Sequence, residues 1–295
     1  MTHLLAKRGA SLLGLLKQAF FFVTDHFPGT SIFRLIFTLV ARRSHAEVHA
    51  LARSRGAKVL DARALTTKNG TLFVLASGSS VCKLERSHFD RIACGFSIGI
   101  NTWPLHDFVP DAYSFEGFRN QSRADAVSSA LQRDEVLSRQ PLVFVVDRMV
   151  QDATRIKPEI PPCLESRVYY YSRIPYFTRS KRRLPDSIAT ALLLSKRGKL
   201  VPSTVIGTAS SVEKMISIGM TSGFRDIVLV GVDLNNPSYF WEADPGLLRR
   251  RGLGTLNSAQ TGATHSTDDA AIKLFTLSEF VSAFAHVARD RRISS

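Results

Sequence analysis

Short, nearly uninterrupted runs of Val, Ile, Leu and Phe recur along this 295-residue chain, and they separate stretches of helical periodicity. The cleanest is Asp226-Ile-Val-Leu-Val-Gly-Val-Asp233, which reads as a strand. Thr71 to Ala76, Pro141 to Asp147 and Arg167 to Ser172 read the same way, and Ile92 to Ile100 and Asp111 to Phe115 are weaker strands. Helical patterns run from Arg123 to Arg139, over about 186–197 and 210–222, and as a long amphipathic closing helix from Asp268 to Arg289. Strands that alternate with helices predict an α/β fold: a Rossmann-like, mostly parallel sheet covered by helices on both faces. In such sheets ligands lie outside the carboxyl ends of the strands, so the loops at 77–80, 97–104 and 233–267 draw attention.

The first 57 residues differ in character, with eight Lys or Arg against Asp25 and Glu47. Blocks such as Phe20 to Val23 and Ile32 to Val40 lie between the charges. A spanning helix needs about 20 apolar residues, and Lys17, Asp25, Pro28-Gly29 and Arg34 interrupt every candidate. No small-residue cleavage site follows a single apolar block, which argues against a signal peptide. Two basic amphipathic helices split at Pro28-Gly29 fit the pattern, suited either to an anionic membrane surface or to packing on the main domain or a second subunit. The expected division is therefore a segment 1–57 and a Rossmann-like domain 58–295, in which the family resemblance given below implies a lid at about 235–265.

The whole chain carries +14, from 39 Lys+Arg against 25 Asp+Glu, which suits nucleic acid, anionic lipid or anionic substrates alike. No helix-turn-helix, zinc finger or RNA-binding signature accompanies the charge, so nucleic acid is not expected. Cys82, Cys94 and Cys163 are too few and too scattered for a disulfide framework or a thiolate metal site. The basic clusters at 179–183 and 249–251 could face an anionic acceptor or form solvated surface.

Four short motifs could carry chemistry. Ser77-Gly78-Ser79-Ser80 follows a strand, and a small-residue turn there lets backbone N–H groups approach a phosphate; strand-to-helix turns also use Gly and Ser for geometry alone. Asn101, with Trp103 beside it, could bond a base, ribose or phosphate, or simply form a turn. Asp233 leaves the best strand, where it would bind a sugar hydroxyl, hold a metal or anchor a loop, though no D-x-D pair accompanies it, and Tyr239 lies just beyond it. Thr264-His265-Ser266-Thr267-Asp268-Asp269 offers an N-cap at Ser266 or Thr267, acidic residues for the first turn, and at His265 an imidazole suited to a general base or to plain surface.

Taken in order, Ser77-Gly78-Ser79-Ser80-Val81, Asn101, Ser210-Ser211, Gly223 to Leu234, Asn236-Pro237-Ser238-Tyr239 and His265-Ser266-Thr267-Asp268 resemble the bacterial lipooligosaccharide sialyltransferases. The similarity covers about residues 70–290. It implies a Rossmann-like, metal-independent, inverting transferase that uses a CMP-activated sugar and no other cofactor. His265 would match the general base and Tyr239 a lid tyrosine that hydrogen-bonds the departing CMP phosphate. Ser77, Gly78, Ser79, Asn101, Ser210, Ser211, Asp233 and Ser266 would match the donor-binding region. The acceptor would be a glycolipid or oligosaccharide, reached from the cytoplasm at the periphery of the inner membrane. The turn at 77–80 lacks the family's Pro, Asn235 stands where a second lid Tyr is usual, and Glu116 stands where an Asn is usual. These departures leave the donor sugar open between sialic acid and another CMP-activated acid. A pterin diphosphokinase family shares a similar turn, so a phosphotransferase is one rival and a non-catalytic basic scaffold is another.

Overall fold

The computed structural model describes residues 31–65, 70–146, 152–174, 178–196, 204–207, 210–236, 238–253, 256 and 274–293. The strands are β1 (Lys58–Val59), β2 (Thr71–Leu75), β3 (Phe96–Ile100), β4 (Ala112–Phe115), β5 (Leu142–Val146), β6 (Val168–Ile174), β7 (Thr204–Ile206) and β8 (Asp226–Val230). They form one sheet in the order β1-β6-β5-β4-β3-β2-β8, with β7 also pairing to β6. Every pairing is parallel. The expected α/β, Rossmann-like sheet is what forms. From β2 to β6 the chain steps across the sheet in one direction, and β8 then returns to the other flank of β2. The order reverses there, and ligand crevices of open α/β sheets lie at such switch points.

The helices are α1 (Ser31–Ser54), α2 (Arg86–Ala93), α3 (Gln121–Leu131), α4 (Asp134–Arg139), α5 (Pro162–Glu165), α6 (Leu184–Lys196), α7 (Ser211–Ser222), α8 (Phe240–Ala243), α9 (Pro245–Arg250) and α10 (Leu277–Ile293). α1 packs against β1, β6, β7 and α6. Its buried face holds Phe37, Ala41, Val48 and Ala52, which share the core with the sheet residues. The helix expected after Pro28-Gly29 therefore forms, and from Phe37 onward it is part of the main domain. A division at residue 57 separates it from the sheet in sequence only. The amphipathic helix expected before Pro28 lies outside the described residues.

Several boundaries differ from those expected. The single helix over Arg123 to Arg139 is two, because Arg133 adopts an extended backbone between α3 and α4 (φ −67°, ψ 143°). Its guanidinium binds the carbonyls of Ala130, Pro104 and His106, each at 2.9 Å, so the residue is held by the next loop instead of continuing the helix. Ile92 belongs to α2, and β3 starts at Phe96. β8 stops at Val230 because Gly231 turns with φ +67°, where a Cβ would lie 2.5 Å from the Ala76 carbonyl oxygen. The closing helix begins at Leu277, not Asp268, because Thr276 and Glu279 form a reciprocal cap. Thr276 N–H donates to Glu279 Oε2 at 2.9 Å and Glu279 N–H to Thr276 Oγ1 at 3.3 Å. Thr276 caps this helix, and Ser266 and Thr267, expected as caps, lie outside the described residues.

No helix among the described residues is long and apolar enough to cross a membrane. Because Phe37 is fully buried, Phe37→Ala should lower unfolding stability by about 3–5 kcal/mol in chemical denaturation. A loss under about 1 kcal/mol would mean that α1 is dispensable to the core.

Candidate functional site

Two loops leave the switch point, and hydrogen bonds join them closely. Ala76 N–H donates to Val230 O (2.8 Å), Gly78 N–H to Gly231 O (2.8 Å), Ser79 N–H to Ser238 O (3.1 Å) and Phe240 N–H to Ser77 O (3.0 Å). Ser80 N–H donates to Asp233 Oδ2 at 2.7 Å, and the Ser80 hydroxyl donates to Asp233 Oδ1. The Ser79 hydroxyl accepts from Asn236 Nδ2 at 2.8 Å. The amides of residues 78–80, expected to cradle a phosphate, are all engaged within the protein. A Cβ on Gly78 would lie 2.6 Å from the Asp233 carboxyl carbon and from Gly231 O, so this glycine serves loop-to-loop contact. Gly78, Ser79 and Asp233 therefore hold the crevice wall together, and the bonds of Asp233 are those of a loop anchor.

The polar groups that line the carboxyl ends come from β2, β3, β4 and the start of α7. Asn101 follows β3 with φ +50°, the left-handed region that Asn tolerates better than most residues. Its Nδ2 donates to Ser211 Oγ at 2.9 Å, and its Oδ1 accepts from Glu116 N–H at 3.2 Å. Ser77 Oγ and Thr102 Oγ1 lie 2.9 Å apart beside it. Ser210 is the N-cap of α7: its hydroxyl accepts from Val212 N–H at 3.1 Å, and its N–H donates to Glu213 Oε2 at 3.2 Å. Sequence reasoning thus named Ser77, Asn101 and Ser211, which the fold brings to one rim, and Ser210, whose hydroxyl is engaged in the cap.

Two residues at the centre of this cluster escaped it as participants. Lys214, only 1 % exposed, places its ammonium 2.7 Å from Glu116 Oε1, whose side chain is 25 % exposed. The same ammonium donates to Ser210 O at 3.3 Å. Burial alone would raise the Glu116 carboxyl, but Lys214, the Ser211 hydroxyl and Arg173 together hold it below the usual carboxylate range. The stability from this pairing is present above the ordinary value of 4.5 and is lost as pH falls through the lower folded value. A signal existed in the sequence: a lysine in the first turns of a helix opposes the positive end of the macrodipole, and such a cation calls for an anionic partner.

Tyr239 sits at the start of α8, where its N–H donates to Glu242 Oε2 at 2.8 Å and its ring stacks on Trp241 with centroids 4.2 Å apart. Arg123, from the first turn of α3, holds its guanidinium 5.1 Å from the Tyr239 ring centroid and 5.8 Å from that of Trp241. Trp103 is a core residue, with Nε1 donating to Phe108 O at 3.1 Å and the ring stacked on His106 at 4.7 Å. Burial lowers the His106 pKa to about 4, so this histidine is neutral near pH 7. The basic cluster at 249–251 largely serves the fold. Arg251 binds Leu105 O and pairs with Asp107, and Arg250 pairs with Asp244. In the other cluster Lys181 pairs with Glu279 and Arg183 with Asp186. His265, Ser266 and the lid positions 237, 254–255 and 257–265 lie outside the described residues.

No family model matches the chain, and no curated protein or solved structure matches it either.

Because Asp233 takes both the N–H and the hydroxyl of Ser80, Asp233→Ala leaves two donors without their acceptor and should cost about 1–3 kcal/mol in denaturation. Asn236→Ala should cost less than about 1 kcal/mol, since Asn236 is exposed. Equal losses in the two variants would remove Asp233 from its anchoring role.

Proposed function

We propose that the chain is a glycosyltransferase that moves sialic acid or a related acidic sugar from a CMP donor to a glycolipid or oligosaccharide acceptor. The observation that carries the reading is the meeting of Asn101 and Ser211. They stand 110 positions apart in sequence and 2.9 Å apart at the carboxyl rim. The resemblance assigns donor contacts to both residues, and the rim is where the switch point opens. In this reading the acceptor hydroxyl oxygen attacks the anomeric carbon, the bond from that carbon to the CMP phosphate oxygen breaks, and the phosphate leaves as an anion. His265 takes the hydroxyl proton as general base. Tyr239 donates to the departing phosphate, and Arg123 beside it supplies positive charge at the same flank.

A thermal-shift panel of CMP, CDP, UDP, GDP and ATP, with and without Mg²⁺, tests the reading. CMP at 100 times its Kd should stabilise by about 2.7 kcal/mol, a rise of several degrees in Tm. His265→Ala should lower transfer at least about 100-fold and leave CMP binding unchanged. A response to Mg-ATP alone would favour the phosphotransferase rival, and wild-type turnover in His265→Ala would remove the general base from the mechanism.

The acceptor side of the proposal rests on α1. Leu35 and Leu39 are 59 % and 55 % exposed, one helical turn apart on the face opposite the buried stripe. Exposed Arg34, Arg42 and Arg43 accompany them, and the basic segment 1–30 leads directly into this turn. Apolar side chains with flanking arginines match an anionic bilayer surface, which fits a peripheral enzyme at the cytoplasmic face of the inner membrane. The full chain should sediment with phosphatidylglycerol-containing vesicles, less so as salt rises and weakly with phosphatidylcholine alone. Leu35→Glu with Leu39→Glu should cut binding several-fold. Unchanged vesicle binding, or loss of a dimer on the same substitution, would assign this face to another contact.

A further inference from the structure

Among the described residues the exposed large apolar side chains are Leu35, Leu39, Leu274 and Val228. Val228 belongs to the edge strand β8, and topology gathers the other three at one rim. α1 lies along β6 and ends just before β1, at the amino end of the sheet. At 1.5 Å per residue, the stretch from Ser54 back to Phe37 carries the helix about 26 Å, a little more than the roughly 23 Å of the seven-residue β6. Arg34, Leu35 and Leu39 therefore stand at the carboxyl rim, and the basic segment 1–30 joins α1 there. α6 packs against both α1 and α10, and residues 178–183 lead into it from the carboxyl end of β6. Arg179, Lys181 and Arg182 in that turn are exposed. Lys181 Nζ lies 2.5 Å from Glu279 Oε1 in the first turn of α10, which brings the start of α10 to the same rim. Leu274, just ahead of α10, is 58 % exposed.

We propose that the carboxyl rim is the bilayer-facing side of the molecule, docked on anionic lipid through Leu35 and Leu39 of α1, Leu274 and the basic turn 179–183. The charges are complementary to such a surface. Carboxylates of these segments are already paired, Glu279 with Lys181 and Asp186 with Arg183, so the excess is cationic. Leucines set apart on three elements suit a lipid surface, which takes up separate apolar side chains; a protein partner needs a contiguous, shape-matched patch. The crevice opens at this same rim, since Asn101 and Ser211 meet there and β4 stands two strand spacings, about 10 Å, from β6. A glycolipid acceptor can then offer its sugar hydroxyl without leaving the bilayer. The proposal rests on the membrane contact inferred above for α1, and adds two further contacts and an orientation.

An environment-sensitive fluorophore on single cysteines of the full chain tests it. With the exposed Cys82, Cys94 and Cys163 changed to Ser, Leu274→Cys and Arg182→Cys carry the probe at the carboxyl rim. A chain that keeps Cys163 alone carries it on α5, which leads into the amino end of β6. On vesicles of phosphatidylglycerol and phosphatidylcholine the probes at 274 and 182 should brighten at least about threefold and be quenched by a lipid-borne quencher. The probe at 163 should stay as it is in solution. Leu274→Glu with Arg182→Glu should bind these vesicles several-fold less than wild type, with stabilisation by CMP unchanged. Equal brightening at 163 and 274, or sedimentation with vesicles while 274 and 182 stay dark, would overturn the orientation and leave the contact through α1 standing. No sedimentation at all would remove that contact and the docking together, while the CMP response would still report separately on the transferase reading. Brightening at 274 that tracks protein concentration without vesicles would assign the surface to a second copy of the chain and overturn the proposal.

Discussion

Parallel pairing of every strand forces every carboxyl end to the same rim of the sheet, and the site depends on that constraint. A parallel strand needs a crossover of a dozen or more residues before the next, so groups that meet at the rim are far apart in sequence. Ser77, Asn101, Glu116 and the first turn of α7 arrive there from four separate crossovers. The placement of β8 beside β2 then closes the wall on one side through Asp233, Gly78 and Gly231. The two loops are locked by main-chain bonds because both glycines omit a Cβ that the opposing backbone would exclude. A rigid wall of this kind suits a site that must hold donor groups steady, since pre-oriented donors need no rearrangement when charge develops.

The interior of the rim is organised by charge in a second way. Lys214 lies near the positive end of α7, an unfavourable place that Glu116 offsets at 2.7 Å. The backbone N–H of Glu116 donates to Asn101 Oδ1, so one residue holds both the buried cation and the rim amide. A neutral amide at position 116 would leave the buried ammonium of Lys214 without a counter-ion. The arginines at 133 and 251 do comparable work on the next loop, where they bind the carbonyls of Pro104, Leu105 and His106.

Six strands were legible in sequence as apolar runs, a signal that needs no knowledge of neighbours; burial explains the run in β2, β3 and β5, while β8 shows one although it is a half-exposed edge strand, and the two- and three-residue β1 and β7 gave no such run. Where a local rule met a tertiary one, the tertiary one prevailed. The helical periodicity through Arg133 is real, but its side chain binds the carbonyl of Ala130 in α3 and two carbonyls of the 104–106 loop, and the backbone extends. The apolar run through Val232 is also real, and Gly231 ends it because the Ala76 carbonyl stands 2.5 Å from where a Cβ would be. Thr276 could have been preferred to Ser266 as the cap, since Thr276 precedes Glu279 by the three residues that a reciprocal cap needs.

By itself the sequence determined the fold class, six of the eight strands, the start of α7 near residue 210 and the candidacy of Asn101. Each of these depends on residue type and local spacing alone. Only the tertiary structure decided which of the candidates share a rim, that the small-residue turn engages its amides within the wall, and that Lys214 is a buried cation. Those facts depend on partners 98 to 154 positions away, and the helix pattern marks Lys214 as unfavourably placed without showing that it loses its water. Desolvation is a property of the packed neighbourhood, so the charges that matter most here became visible only when the sheet had been assembled around them.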